Sequence, residues 1–283
     1  MPKILKRLST EKTKFASKAA GVFERIAYAP FFDYPFGRTA RATADQYRDL
    51  WGETKVREYP VVDEYEKRSG FVLDQQWLDD LALVTQIVVK KSQLCYQHGR
   101  LLYSTLRKYI SDKSPDYVNI LETGTARGFS ALCMAKALQD QGLHGKIVTF
   151  DLLPHDVPML WNCIGDESGP RSRGQLLEDY QKLIEKFIIF HQGDTVRELK
   201  KICLTRVNMA FLDGAHVYPA VMAEFETIRH LQQSGDLIFF DDYTPDQFPG
   251  VVQAVEEICS SFGYRKEIVR ISGERGYAIG TKE

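Results

Sequence analysis

The spacing of hydrophobic positions divides the chain into two regions. In residues 1–112, apolar residues recur at the three- and four-residue intervals of amphipathic helices. Three segments show this pattern: 8–26, 77–95 (from Trp77 through Val84 and Val88 to Cys95) and 100–110 (RLLYSTLRKYI). We therefore predict a helical N-terminal region over residues 1–112 and a separate region of different architecture over residues 113–283.

Short apolar runs, most of them followed by a helical stretch, characterise the second region. They predict seven strands: YVNILETG, KIVTFDL, FIIFHQGD, VNMAFLDG and DLIFFDDY, then YRKEIVRIS and RGYAIGTK. Strands that alternate with helices indicate a parallel sheet with helices on both faces, and the last two strands form an antiparallel pair. The predicted fold class is therefore α/β, a doubly wound, mostly parallel seven-stranded sheet with an antiparallel C-terminal edge hairpin.

Composition excludes several functional classes. The 283 residues include 37 basic and 38 acidic side chains, a net charge of −1, so we expect no nucleic-acid partner. Five widely spaced cysteines without a C-x-x-C pair are typical of reduced thiols in a cytoplasmic protein. No apolar run approaches the ~20 residues of a membrane span. Residues 3–18, with six basic residues, predict either peripheral contact with an anionic membrane or a solvated helix face.

The stretch ILETGTARGFS, residues 120–130, places Gly124 and Gly128 between a predicted strand and a predicted helix. Glycine allows unusual backbone dihedrals and close approach of a ligand, and a helix N-terminus offers free N–H groups. The spacing is not G-x-G-x-x-G, so it does not match the dinucleotide fingerprint. A tight turn without a ligand is the alternative. If a cofactor binds here, a side chain at Gly124 should enter its space.

The neighbours of this turn favour a cofactor. Glu122 can accept from an ammonium group, and Ser130, in the first helical turn, can donate to a carboxylate. Asp151 ends the second strand, where a carboxylate can bind both ribose hydroxyls, and Asp194 ends the third, within reach of an adenine amino group. Thr125 completes the predicted set. Ammonium, carboxylate, ribose and adenine without pyrophosphate describe S-adenosylmethionine.

These motifs resemble the class I S-adenosylmethionine-dependent methyltransferases. LETGTARGFSALCMA is similar to the first motif of the metal-dependent O-methyltransferases, which include the catechol O-methyltransferase type and the sugar O-methyltransferases of antibiotic pathways. FLDGAH resembles their fourth-strand motif, and FFDDYTP resembles their fifth. The resemblance covers residues 117–283 and implies a Rossmann-like fold, a methyltransferase activity and S-adenosylmethionine as cofactor.

Three aspartates follow two strands that this topology makes neighbours. Asp213 ends the fourth strand, and Asp241 and Asp242 end the fifth. Converging carboxylates repel one another unless a cation lies among them, and oxygen ligands suit Mg²⁺, with Ca²⁺ and Mn²⁺ as alternatives. The other interpretation is that Asp241 caps a turn and Asp242 is solvated. In the resembled families these positions hold the metal that binds the substrate oxygens.

His216 lies three residues beyond Asp213. In the resembled families this offset carries the general base, a lysine in the catechol type and a histidine in some sugar enzymes. Other sugar enzymes carry an acid two residues after the aspartate, where this chain has Ala215. A histidine can accept a proton near neutral pH. The resemblance therefore implies that His216 is the catalytic residue.

A long connection, residues 154–177, follows the second strand. Connections of this length usually cover a site or are disordered, and Trp161 argues against disorder. Arg171 and Arg173 predict contact with an anionic substrate, with solvated surface arginines as the equal alternative.

Taken together, the sequence predicts a divalent-metal-dependent O-methyltransferase that acts on a hydroxyl of a sugar or glycoconjugate precursor. The helical region, residues 1–112, is expected to cap the site or to mediate assembly into a homo-oligomer. A catechol or phenolic O-methyltransferase is the nearest alternative. A nicotinamide-dependent Rossmann oxidoreductase and a non-catalytic binding protein are alternatives of other classes.

Overall fold

The computed structural model describes residues 37–272 and 275–283. The predicted helical segment 8–26 and the basic stretch 3–18 lie outside the described residues, so both stay predictions. The α-helices, numbered α1 to α10 in chain order, are Ala44–Lys55, Pro60–Ser69, Gln75–Thr85, His98–Lys113, Phe129–Gln141, Arg173–Leu176, Gln181–Phe187, Thr195–Glu198, Tyr218–Ile228 and Pro249–Ser261. Short 3₁₀ helices cover Ile164–Ser168, Glu178–Tyr180, Leu199–Lys201 and Arg229–Leu231. None of the described helices has the length and apolarity needed to cross a lipid bilayer.

Seven strands form one mixed sheet. The strands β1 to β7 are Tyr117–Thr123, His144–Asp151, Ile188–Gln192, Met209–Leu212, Leu237–Phe240, Tyr264–Ser272 and Arg275–Lys282. Their order is β3-β2-β1-β4-β5-β7-β6, with β1 to β5 parallel and β7 antiparallel to both of its neighbours. This arrangement confirms the predicted fold class, including the antiparallel hairpin at one edge.

The strand order reverses direction at β1, which lies between β2 and β4. In open α/β sheets, ligands bind outside the carboxyl ends of the strands at such a reversal. The site residues predicted at the ends of β1, β2 and β4 therefore lie near the same edge of the sheet.

Helices cover the sheet on both faces, as buried parallel strands require. Successive residues of β1 face opposite sides of the sheet: Ile120 packs into one hydrophobic cluster and Leu121 packs into the other. The first cluster includes Leu101 and Leu106 of α4 and Leu132 of α5. Helix α4, which belongs to the N-terminal region of the sequence, thus shares a core with the sheet. The boundary near residue 113 stays a prediction.

The predicted helix over residues 77–95 is wrong in its second half, because α3 ends at Thr85. Asn162, distant in sequence, accepts a hydrogen bond from the N–H of Val89 (3.1 Å) and donates to its carbonyl (3.0 Å). The backbone groups that a helix would have paired are therefore satisfied by a side chain. Residues 86–97 consequently form an irregular connection that reaches the functional edge of the sheet.

Candidate cofactor and acceptor site

The turn after β1 is shaped by its two glycines. Gly124 and Gly128 have φ angles of +87° and +90°, in the left-handed region that favours glycine. The N–H groups of Gly124 and Thr125 donate to the carbonyl of Phe150 at 2.9 and 3.1 Å, which joins the turn to the end of β2. Gly128 is the N-cap residue of α5. The turn therefore places the N-terminus of a helix at the edge where the strands end.

The backbone itself requires glycine at position 124. A Cβ there would lie 2.1 Å from the carbonyl oxygen of Asp213, which is backbone and cannot move aside. The sequence-based expectation that a side chain would enter the cofactor's space stays a prediction, and the structure adds a collision with the backbone that follows β4.

This crowding leads to a prediction about stability. We expect Gly142→Ala to cost about 1–2 kcal/mol, because its φ is +65° but nothing lies within 4 Å of the new Cβ. Gly124→Ala should cost clearly more, since it combines a similar φ with the backbone collision. Urea denaturation of the two variants measures the difference. Equal losses would show that the approach of β4 to the turn is not tight.

A cavity of about 530 Å³ opens beside this turn. It is lined by five of the residues that the sequence predicted: Gly124, Asp151, Asp194, Asp213 and His216. The other lining residues are Ala126, Phe150, Leu152, Leu153, Thr195, Val196, Gly214, Ala215, Ala220 and Glu224. We call this space the cofactor cavity.

Asp151 is held in a fixed orientation on the cavity wall. One carboxylate oxygen accepts from the N–H of Ala126 at 2.5 Å, and the other accepts from the N–H of Leu153 at 2.7 Å. The Arg173 guanidinium lies 3.9 Å from the first of these oxygens. Two backbone donors and a nearby cation stabilise the ionised carboxylate that a ribose requires.

Arg173 is a positioning residue, although the sequence predicted either contact with an anionic substrate or a solvated surface position for it. Its side chain is buried, its Nε donates to the carbonyl of Ala126 at 2.8 Å, and its guanidinium lies over the rings of Trp161 and Phe190. The predicted contact of Arg173 with an anionic substrate is therefore wrong. The connection 154–177 instead packs this arginine under the turn and braces Asp151.

Glu122 and Ser130 are brought together, but beneath the cavity. Ser130 and Thr149 both donate hydrogen bonds to the fully buried Glu122 carboxylate. Burial raises the pKa of Glu122 to about 7, although the two hydroxyl donors oppose this shift. Thr125 is also buried, with its hydroxyl 2.6 Å from that of Thr149. None of these side chains lines the cavity, so the geometry does not support the direct cofactor contacts predicted for them.

Asp194 lies on the exposed rim of the cofactor cavity. Its side chain accepts from the N–H of Arg197 at 3.1 Å and caps the short helix α8. A second lone pair remains available to a ligand, so a contact with adenine stays a prediction.

The three predicted metal-binding aspartates do converge, together with an arginine. Arg275, at the start of β7, donates to Asp242 at 2.7 Å and to Asp241 at 3.4 Å. Asp241 also accepts from the N–H of Asp242 at 2.8 Å. Asp242 has a φ of +53°, an unusual value for a residue with a side chain. The guanidinium thus neutralises part of the negative charge at this edge.

The electrostatics of the cluster differ from one carboxylate to the next. Burial raises the pKa of Asp213 well above its usual value, and the charges of Asp241 and Asp242 add to this rise. Burial and the Asp241 charge likewise raise the pKa of Asp242. Burial is the largest influence on the pKa of Asp241 and would raise it, but the Arg275 guanidinium, the nearby imidazoles of His98 and His216 and the N–H of Asp242 together hold that pKa below the usual value. The cluster therefore gains from an added cation beside Asp213 and Asp242.

His216 also belongs to this cluster. Its Nδ1 lies 3.4 Å from the Asp242 carboxylate, and its ring packs against Phe248 with 4.8 Å between the centroids. One ligand atom each from Asp213, His216 and Asp242 lies within 4.8 Å of the other two, close enough to hold a divalent ion. Asp241 also contacts Arg275. Asp213, Asp242 and His216 are thus one possible group of ligands, and the predicted set of three aspartates stays a prediction.

A second cavity, of about 340 Å³, includes Asp242 in its lining. We call it the acceptor cavity. Asp242, Phe248 and Arg275 form its base at the sheet edge, and residues of the helical region form its upper wall. These upper residues are Glu58, Tyr59, Lys90, Ser92, Gln93 and Cys95, and Gln247, Ile271 and Ser272 complete the lining.

Comparisons with known proteins agree with this geometry. A family model described as a methyltransferase domain matches residues 121–243. Among solved structures, the O-methyltransferase TomG from Streptomyces achromogenes, in complex with S-adenosylmethionine, has a TM-score of 0.52 and 16% identity, over 75% of this chain and 91% of that chain. The O-methyltransferase from Bacillus cereus, in complex with S-adenosylhomocysteine, has a TM-score of 0.50 and 15% identity, over 81% and 93%.

The O-methyltransferase NovP has a TM-score of 0.51 and 15% identity, over 68% of this chain and 81% of that chain. No curated protein matches the chain significantly in sequence. Identities this low show the fold, and the family model shows the kind of domain. Residues 121–243 therefore match a methyltransferase domain, and the fold of the chain is that of the class I S-adenosylmethionine-dependent methyltransferases.

Proposed function

We propose that this protein transfers the methyl group of S-adenosylmethionine to a hydroxyl oxygen of a polar acceptor. The observation that carries the proposal is the contact between His216, in the lining of one cavity, and Asp242, in the lining of the other. His216 lines the cofactor cavity and contacts Asp242 and Phe248, which line the acceptor cavity. A base in this position can reach a hydroxyl as its oxygen meets the methyl group.

The cofactor cavity fits a nucleoside without pyrophosphate. Asp151 presents a fixed carboxylate for the ribose hydroxyls, and the glycine turn lets the methionyl part approach the backbone. Phe150, Val196 and Ala220 give the cavity apolar surface suited to a purine ring. These features support S-adenosylmethionine better than a dinucleotide.

The reaction is an in-line displacement. The acceptor oxygen attacks the methyl carbon, the carbon–sulfur bond breaks, and the electron pair of that bond returns to sulfur. His216 takes the hydroxyl proton, and the Asp242 carboxylate orients the ring and stabilises the imidazolium that forms. Proton transfer to a positioned base is typically worth about 10²–10⁴-fold in rate. Positioning of the two reactants in adjacent cavities supplies a further part of the acceleration.

The same residues fit a divalent metal. Asp213 and Asp242 would hold it, and it would lower the pKa of the acceptor hydroxyl and orient that group. A histidine that binds a metal through one ring nitrogen carries its proton on the other nitrogen and cannot act as a base. In this proposal His216 therefore stays unbound and acts as the base beside the metal. Arg275 offsets part of the carboxylate charge beside this site.

The lining of the acceptor cavity supports a hydrophilic acceptor. Lys90, Gln93 and Gln247 offer hydrogen-bond donors, and Glu58 and Asp242 offer acceptors. A sugar or glycoconjugate precursor presents the matching hydroxyl groups. Because residues 58–59 and 90–95 form the upper wall, the helical region would take part in acceptor recognition.

A transfer assay tests this proposal. The protein is incubated with S-adenosylmethionine that carries a deuterated methyl group, together with a panel of free and nucleotide-linked sugars and with catechol. We expect the label on a sugar oxygen, located by mass spectrometry and NMR. Label on catechol alone would favour the phenolic alternative, and label on nitrogen or carbon would contradict O-methylation.

A further inference from the structure

One buried carboxyl group on the wall of the cofactor cavity has no role in the chemistry above. Glu224, on α9, is 2% exposed and lines the cavity. Its Oε2 accepts from the Thr123 hydroxyl at 3.1 Å, whereas its Oε1 accepts no hydrogen bond from the described residues. Oε1 lies 2.9 Å from the position of a Cβ on Gly214, another cavity residue. Because Glu224 lines the cavity and its Oε1 has no protein donor, this oxygen is available to a ligand there.

The surroundings of Glu224 indicate which part of a ligand reaches it. Asp194, on the cavity rim, is near enough for its charge to raise the pKa of Glu224. Val196 lies in α8, two residues after Asp194, and Ala220 lies one helical turn before Glu224 in α9. Both line the same cavity with small or apolar side chains. Apolar surface beside one buried carboxyl group suits a flat heteroaromatic ring.

We propose that Glu224 binds the edge of the cofactor's adenine that carries the 6-amino group and N1. One carboxyl oxygen accepts from the 6-amino group, and the carboxyl proton is donated to N1. Burial raises the pKa of Glu224 to about 7, so a protonated fraction is present at neutral pH. This inference rests on the proposed function. It makes the buried Glu224 on α9 the residue that binds adenine, in place of the exposed Asp194, which caps α8.

The binding of two ligands tests the inference. One is S-adenosylhomocysteine, and the other is its analogue with purine in place of adenine, which lacks only the 6-amino group. Calorimetry should give wild-type protein about a tenfold preference for S-adenosylhomocysteine, the value of one hydrogen bond to a buried acceptor. Wild-type protein that binds both ligands equally would overturn the inference without any variant.

Two variants separate recognition from a structural role. Glu224→Gln keeps a donor and an acceptor and should keep the preference, whereas Glu224→Leu should bind the two ligands equally. The matched control is Glu226→Gln, on the exposed face of the same helix, which should behave as wild type. If Glu224→Leu retains the preference, Glu224 only supports Thr123 or binds the methionyl ammonium group.

The two ligands also distinguish failure of the adenine inference from failure of the proposed function. If wild-type protein binds neither ligand, the S-adenosylmethionine proposal itself fails. If it binds S-adenosylhomocysteine but Glu224→Leu still discriminates between the ligands, only the adenine inference fails.

Discussion

Replacing His216 by alanine should lower kcat by about 10²–10⁴-fold while leaving the affinity for S-adenosylhomocysteine nearly unchanged. The ring lines the cofactor cavity and lies 3.4 Å from the carboxylate of Asp242, which lines the acceptor cavity, and its loss removes the group that takes the acceptor proton. The residual rate should rise with pH, because hydroxide then replaces the missing base. Initial rates across pH, measured with the acceptor identified in the transfer assay, give the comparison.

The control for this variant is His230→Ala, which removes an exposed histidine away from the cavities. It should keep the wild-type rate and pH profile. If His216→Ala also kept both, proton transfer by His216 would be excluded, while the assignment of the fold and domain would stand.

Chelation should abolish activity, and added Mg²⁺ or Mn²⁺ should restore it. Asp213 and Asp242 carry pKa values raised by burial and by neighbouring carboxylates, and a divalent ion relieves this repulsion. Asp213→Asn should mimic chelation, and the metal should not rescue this variant. Asp241 is less suitable for this test, since it pairs with Arg275 and its replacement would also disturb that contact.

Asp246→Asn is the matched control, because Asp246 is exposed in the loop that follows β5. It should respond to EDTA and to metal as the wild type does. Full activity of the wild-type protein in EDTA would show that His216 and Asp242 act without a metal, and the metal part of the mechanism would be withdrawn.

Much of the fold could be predicted because the strands are short and locally encoded. The hairpin strands YRKEIVRIS and RGYAIGTK match β6 and β7 residue for residue. The prediction of a helix as far as Cys95 was wrong for a non-local reason. Asn162, 73 residues from Val89 in sequence, accepts a hydrogen bond from the backbone N–H of Val89, which a helix would have paired internally. No local pattern reveals such a contact.

In the candidate site, too, positions set by the strand ends could be predicted, whereas contacts between distant residues could not. Asp151, Asp213 and His216 were predictable, because residues that follow parallel strands meet at one sheet edge. Arg275 was not, since its contact with Asp241 depends on β7 lying beside β5. Glu122 was assigned to the cofactor because spacing places it near the turn, yet it lies under the cavity with Ser130.

The claim central to this account is that the cavity beside the glycine turn binds S-adenosylmethionine. Titration calorimetry with S-adenosylhomocysteine, and separately with NAD, tests it most directly. We expect saturable binding of S-adenosylhomocysteine at one site per chain and no binding of NAD. Binding of NAD without binding of S-adenosylhomocysteine would contradict the account and favour an oxidoreductase.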